Sequence, residues 1–417
     1  MEHGSIYLFM ACAFGLFMAW GIGANDVANA MGTAVGSKAL TIRRAIIIAA
    51  IFEFAGAFLA GGAVTNTISG GITEVSYFIN SPELLVYGMM ASLLSAGIWL
   101  LVASHYGWPV STTHSIVGAI VGFTAVGVGV DAVNWTKVTS IVLSWIISPL
   151  LGLITSYGLF MSVQILIFNA KDPFFAAKRY VPIYIFISAF IISMVTFVKG
   201  LKHIGLDLSF RSDVLLSLAI SLVLTLIGIK LLKRIQPDPA AEKEFHFANV
   251  EKVFAVLMTF TACATAFAHG SNDVANAVGP LAAIVNIVGS GGMVTAQNAT
   301  APWILLVGGI GIVLGLITYG RKVIATIGTG ITELTPSRGF AATLAAASVV
   351  ILASGTGLPI STTHTLVGAV LGVGLARGIG AINLNVVTTI FTSWIVTLPA
   401  GAGLSIVAFF GFKALFS

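Results

Sequence analysis

The chain has 417 residues, of which 57% are hydrophobic and only 8% charged, with a net charge of +5 and a mean hydropathy of +1.02. An average soluble domain is about 25% charged, and a soluble fold could not hide this much apolar surface, so composition argues for a polytopic membrane protein and against a water-soluble one. The basic residues form no stripe interleaved with aromatics, which argues against nucleic acid as a partner. Cys12 and Cys263 each lie in an apolar stretch, where a thiol behaves as a small hydrophobe and not as half of a disulfide.

Hydropathy marks about twelve apolar segments long enough, or nearly so, to cross a bilayer as helices: 5–35, 44–63, 83–104, 109–130, 138–168, 180–198, 213–232, 253–285, 302–320, 339–355, 359–376 and 386–412. The first begins without a positive leader and carries GANDVANAMG (23–32), so it reads as a retained helix, not a cleaved signal. The second holds Glu53. After it comes TISGGITE (67–74), ending in Glu74. The third and fourth meet at SHYGWPV (104–110), where PVSTTHSIVGAIVG begins. Its tip carries no Lys or Arg, so these segments are either two crossings or a re-entrant hairpin. Beyond the seventh lies the polar stretch 233–252, a linker between halves.

The same blocks then return in order. GSNDVANAVG (270–279), TIGTGITE (326–333), PISTTHTLVGAVLG (359–372) and VTTIFTSWIVTLPAG (387–401) repeat the blocks starting at 23, 67, 109 and 138, at offsets of 247, 259, 250 and 249 residues. Four blocks at nearly one offset signal internal duplication. Seven segments separate the equivalent first helices, so equivalent helices run in opposite directions. The expected architecture is all-α, with two inverted-topology repeats, 1–168 and 253–417, and a central pair of segments plus linker at 169–252. Broken or re-entrant helices are expected within the repeats, as in secondary transporters. With the N-terminus outside, only Lys137, Lys199, Lys202, Arg211 and Lys413 of the 20 Lys and Arg are external. The positive-inside rule thus places both termini outside and the linker in the cytoplasm.

The polar residues inside apolar runs carry the chemistry. Asp26 and Asp273 each cost at least about 2.5–3.5 kcal/mol to insert into hydrocarbon. Gly23 and Gly270 precede them, and the pattern predicts a helix that unwinds there and restarts, freeing carbonyl oxygens. Those oxygens with Asp26, Asn29, Asp273 and Asn276 form hard-oxygen ligand sets suited to Na⁺. Ser111-Thr112-Thr113-His114 and Ser361-Thr362-Thr363-His364 follow Pro109 and Pro359 and open Gly-rich segments, the signature of a helix N-terminus. Free N–H groups, hydroxyls and the positive end of the helix dipole make an anion site without Lys or Arg. Two such sites can grip one tetrahedral oxyanion. Glu74 and Glu333 read equally as cation-site or gate carboxylates and as solvated loop residues. Glu53 either pairs with a polar neighbour or tunes coupling. His114 and His364 are expected to hold structure. His269 and Asp273 have i,i+4 spacing, but with no third ligand nearby in sequence a transition-metal site is not expected.

The paired GANDVANA/GSNDVANA and PxSTTH motifs resemble those of the inorganic phosphate transporter (PiT) family over residues 15–160 and 255–410. The short central linker is similar to that of prokaryotic members. The resemblance implies symport of phosphate with Na⁺ or H⁺, with the NDVAN positions, Asn25 and Asn272 included, beside cation and phosphate, and Ser111, Thr112, Thr113, Ser361, Thr362 and Thr363 at phosphate. It also admits sulfate or another oxyanion as cargo. The expectation is therefore an importer in the plasma membrane, coupled to Na⁺ in preference to H⁺, working by alternating access without a cofactor; a homodimer is compatible with it. Bringing a phosphate dianion into a cell at −100 mV costs about 4.6 kcal/mol, which two monovalent cations cancel, and no GxxxxGK[ST] motif suggests ATP as the driver. An anion channel fits two discontinuous sites less well, and a Ser/Thr hydrolase has no use for a duplicated centre.

Overall fold

The computed structural model describes residues 3–108, 110–201, 208–244, 247–295, 300–321, 324, 333–378 and 383–416. Its elements, in order, are α1 (Gly4–Gly36), α2 (Ile42–Ala60), α3 (Gly62–Gly70), α4 (Pro82–Tyr106), α5 (Thr112–Gly127), α6 (Trp135–Val163), α7 (Pro173–Val195), α8 (Phe210–Lys233), α9 (Pro239–Glu244), α10 (Ala248–Gly289), α11 (Pro302–Gly315), α12 (Pro336–Thr356), α13 (Thr362–Arg377) and α14 (Leu384–Phe416). Short π-helical runs extend α6, α7 and α11. The described residues contain no β-strand, only an isolated bridge between Thr73 and Val133. The all-α membrane architecture expected from composition is therefore the one observed. Side chains such as Leu215, Leu222, Leu226, Ile395 and Val407 are exposed on its outer face, where a bilayer is their only favourable solvent.

Each apolar segment coincides with a helix, but not every helix can span. Nine among the described residues are long and apolar enough, with α2 and α3, bent by 65°, as a further broken pair. Helices α5 and α13 have 16 residues each, about 24 Å, against a hydrocarbon core of about 30 Å. Each instead folds back on the helix before it. Gly107 (φ 69°) and Gly357 (φ 74°) end α4 and α12 in the left-handed conformation, a helix stop that glycine adopts without a Cβ clash. The two hairpin tips meet in the interior. Thr113 Oγ1 donates to Ile360 O (3.0 Å) and Thr363 Oγ1 to Val110 O (3.3 Å).

The expected unwinding at Gly23 and Gly270 does not occur. Helices α1 and α10 run unbroken through both motifs, over 33 and 42 residues. The glycines serve close crossing instead. A Cβ on Gly23 would lie 1.9 Å from Ile312 O of α11, and one on Gly270 2.1 Å from Glu53 O of α2. Reciprocally, a Cβ on Gly315 would lie 1.9 Å from Trp20 O, and one on Gly56 2.0 Å from Phe267 O. The paired contacts have the same sequence offsets as the repeated blocks. Oxygen ligands from an unwound backbone are thus absent at these motifs, and the site's oxygens come from side chains.

Candidate functional site

The centre of the molecule is built by α1 and α10, which carry the NDVANA motifs, and by the N-termini of α5 and α13. In each STT triplet the serine caps its helix: Ser111 Oγ accepts from His114 N and Ser361 Oγ from His364 N, both at 3.2 Å. The first hydroxyl of each triplet is thereby committed to its own backbone. The threonines face the other motifs. Asn29 Nδ2 donates to Thr363 Oγ1 (2.7 Å), and Asn276 Nδ2 lies 3.2 Å from both Thr112 Oγ1 and Thr113 Oγ1. Thr362 Oγ1 donates to Asp273 Oδ2 (2.8 Å), and Thr112, its counterpart, is a side-chain neighbour of Asp26.

Asp26, His269 and Asp273, all buried, offer ligand atoms within 4.8 Å of one another. Sequence spacing shows only the last two together; Asp26 arrives from the other half. His269 Nε2 lies 2.9 Å from Asp273 Oδ2, and its Nδ1 lies 3.3 Å from Glu53 Oε1. Both ring nitrogens face carboxylates, and Asp26 adds the third donor that sequence spacing did not show. The two aspartates with the neighbouring threonine and asparagine oxygens suit a hard monovalent cation. Asp26 Oδ2 and Asn276 Oδ1 are buried without a hydrogen-bond partner among the described residues, an expensive state for polar oxygens unless a ligand meets them. Two ionised carboxylates at such range repel by about 3–4 kcal/mol at an effective dielectric of 20, and a cation between them reverses the sign.

Asn25 and Asn272 anchor the hairpins. Asn25 Nδ2 donates to Ser104 Oγ (3.0 Å) and Trp108 O (3.3 Å). The Asn272 amide, oriented to satisfy its neighbours, donates from Nδ2 to Ile360 O (3.0 Å) and accepts from Ser354 Oγ (3.1 Å). Glu74 and Glu333 do not join the centre. Glu74 follows α3, its N–H donating to Ala132 O (2.8 Å). Glu333 is 84% exposed and lies 3.8 Å from Arg338; the rest of its repeated block, 326–332, lies outside the described residues. His114 and His364 meet edge-to-face under the tips with ring centroids 4.3 Å apart, against Trp145 (3.7 Å) and Trp394 (3.4 Å) respectively. Sequence reasoning missed the partnership of Glu53 and His269. The signal available was that both are ionisable residues inside apolar runs.

Facing helix N-termini beside a carboxylate pair, enclosed in a bundle with an apolar exterior, define a membrane transporter of small ions. The chain belongs to the phosphate transporter family, whose profile matches residues 22–405. It is 52% identical over 416 residues to a putative phosphate permease of Haemophilus influenzae, covering 100% of this chain and 99% of that protein. It is 44% identical to inorganic phosphate transporter 2-1, chloroplastic, of Arabidopsis thaliana, over 94% of this chain and 70% of the relative. A solved structure described as the sodium-dependent phosphate transporter superposes with a TM-score of 0.91 at 40% identity, covering 99% of this chain and 100% of that one. The family consists of permeases, so the protein is a transporter and not an enzyme.

Proposed function

We propose that the protein imports inorganic phosphate together with Na⁺ by alternating access. The observation that carries this reading is the meeting of two buried helix N-termini, at Thr112–Thr113 and Thr362–Thr363, beside Asp26 and Asp273. The N-termini and hydroxyls favour a tetrahedral oxyanion. The carboxylates would repel that anion unless cations arrive with it, which makes coupling a property of the site. The similarity to a sodium-dependent transporter supports Na⁺ over H⁺.

Thr112→Val and Thr362→Val each keep shape and delete a hydroxyl. A hydrogen bond to a charged group contributes about 1.5–3 kcal/mol, so each substitution is expected to weaken phosphate binding roughly 10- to 150-fold, and the double variant further. Binding to purified protein in Na⁺, and in K⁺ in its place, tests this directly. Unchanged affinity in all three variants would place the anion elsewhere. Sulfate run in parallel tests whether the cargo is another oxyanion.

Alternating access is supported by the paired tip contacts and the paired glycine crossings, which give each half a counterpart of the other's elements. In this reading 1–168 and 253–417 are the inverted repeats, 169–252 is the central insertion, and the protein lies in the plasma membrane with both termini external. Ala240 is exposed on α9. Ala240→Cys, in a chain with Cys12 and Cys263 replaced, should be labelled by an impermeant maleimide only from the cytoplasmic side. Labelling from outside would overturn the assigned orientation.

A further inference from the structure

Helix α10 presents Met258, Thr261, Thr265, His269, Asp273 and Asn276 at helical spacing on one face. Their counterparts on α1, 247 residues earlier, are Ala11, Phe14, Met18, Ile22, Asp26 and Asn29. The two faces agree at the aspartate and asparagine and differ at every other position. Two packing partners diverge in the same direction. Thr343 on α12 corresponds to Leu93 on α4, and Thr33 at the end of α1 corresponds to Pro280 on α10. Both arrangements are closely packed, with Met18, Leu93, Thr261 and Thr343 all fully buried, so packing alone does not call for hydroxyls on one side.

Thr265, Thr343 and Thr261 are linked in a column. Thr265 lines a small cavity with Asn29, His269 and Thr362, of about 10 Å³, room for one water-sized particle. Thr265 Oγ1 lies 3.3 Å from Thr343 O, and Thr343 Oγ1 lies 3.3 Å from Thr261 Oγ1. Both of these last hydroxyls lie 3.7 Å from Met258 Sδ. At the foot, a Cβ on Gly339 would be 3.0 Å from Met258 Cε and 3.5 Å from Thr33 O. Thr33 is 4% exposed, and its hydroxyl has no partner among the described residues. From Asp273 to Met258 the column follows α10 for about 22 Å, more than half a hydrocarbon core. Three hydroxyls have a carbonyl of their own helix within donor range: Thr265 to Thr261 O (2.8 Å), Thr343 to Gly339 O (2.8 Å) and Thr261 to Met258 O (3.2 Å). Protons spent on the helix leave oxygen lone pairs for the column. An acceptor lining suits a cation and is the wrong polarity for phosphate.

We propose that the column Thr265–Thr343–Thr261 is the route by which the coupled monovalent cation passes between the central carboxylates and the N-terminal end of α10, while Met18, Phe14 and Leu93 form its apolar, cation-excluding counterpart on the opposite side. The inference rests on the cation-coupled reading, so Na⁺ dependence of phosphate uptake is measured first, in proteoliposomes, with Cys12 and Cys263 replaced. Its absence there would overturn the coupled reading itself. In a coupled parent, Thr261→Cys, Thr265→Cys and Thr343→Cys are exposed to Ag⁺, a monovalent thiol-reactive cation, from each face in turn. Inhibition is expected from the face bearing the α10 N-terminus, slowed by Na⁺, with Met18→Cys insensitive from that face. Equal reactivity at Met18→Cys, or none at the three threonine positions, overturns the route. Thr261→Val and Thr343→Val should lower turnover at least tenfold and leave the Na⁺-induced rise in thermal stability unchanged, with Thr261→Ser restoring turnover. Unaltered turnover in both valine variants would reduce the column to helix packing.

Discussion

Replacing either central aspartate by asparagine is expected to abolish coupled uptake. Asp26→Asn and Asp273→Asn keep volume and remove one charge from the pair whose ligand atoms lie within 4.8 Å. Losing one member of a buried charged set costs about 3–5 kcal/mol, or roughly two to three and a half orders of magnitude in cation affinity at 1.4 kcal/mol per decade. The variants should differ in stability. Asp273 accepts from Thr362 and faces His269, so an amide there puts a donor against donors. Asp26 accepts a longer bond from Asn29 Nδ2 at Oδ1 (3.3 Å), and its Oδ2 has no hydrogen-bond partner among the described residues, so Asp26→Asn should be the better-folded of the two. Na⁺-dependent uptake in proteoliposomes, read beside thermal unfolding in detergent, checks both statements. Ordinary Na⁺ dependence in either folded variant removes that aspartate from the cation site.

Substituting alanine at the helix crossings should unfold the protein without touching its chemistry. At Gly23 the added Cβ would sit 1.9 Å from Ile312 O, and at Gly270 2.1 Å from Glu53 O. Both obstacles are backbone, so the helices must separate, and each substitution is expected to cost on the order of 4–5 kcal/mol or more. Gly158 is the control, because nothing lies within 4 Å of a Cβ there, and alanine in its helix should be neutral or stabilising by about 0.5–1 kcal/mol. The fraction recovered as a monodisperse peak, with the unfolding midpoint, measures the difference. Wild-type midpoints for Gly23→Ala and Gly270→Ala would mean that the close crossings do not hold in the membrane.

These glycines also mark the limit of what could be read in advance. Asp26, Asp273 and the STT triplets stood out because polar side chains are rare inside apolar runs and these occur twice in the same order. The central site was legible for that reason. The use of Gly23 and Gly270 was not, because a glycine before Asn-Asp serves a helix break or a close crossing equally well. The choice depends on α11 and α2, which lie far away in sequence. Glu53 and His269 are separated in the same way, and only the crossing of α2 and α10 brings them within 3.3 Å. The hairpin tips were ambiguous because the apolar runs 109–130 and 359–376 are near the length of a span, whereas the helices within them have 16 residues each. The contact of Thr113 with Ile360 O brings the two tips together. For Glu74 and Glu333, repetition left a ligand and a loop role equally open, and both residues lie in loops, since a repeated block preserves turn chemistry as readily as ligands.

The reciprocal crossings have a further consequence for the heredity of the chain. Helix α11 lies on α1, α2 on α10, α5 on α14 and α13 on α6, so each half lends elements to a core it does not own. Neither half is a module in the sense of a piece that can be inherited, exchanged or lost by itself. A chimera that takes one half from a distant relative must therefore match all of these seams at once. Grafting α7–α8, which meet mainly each other and the flank of α10, asks for far less.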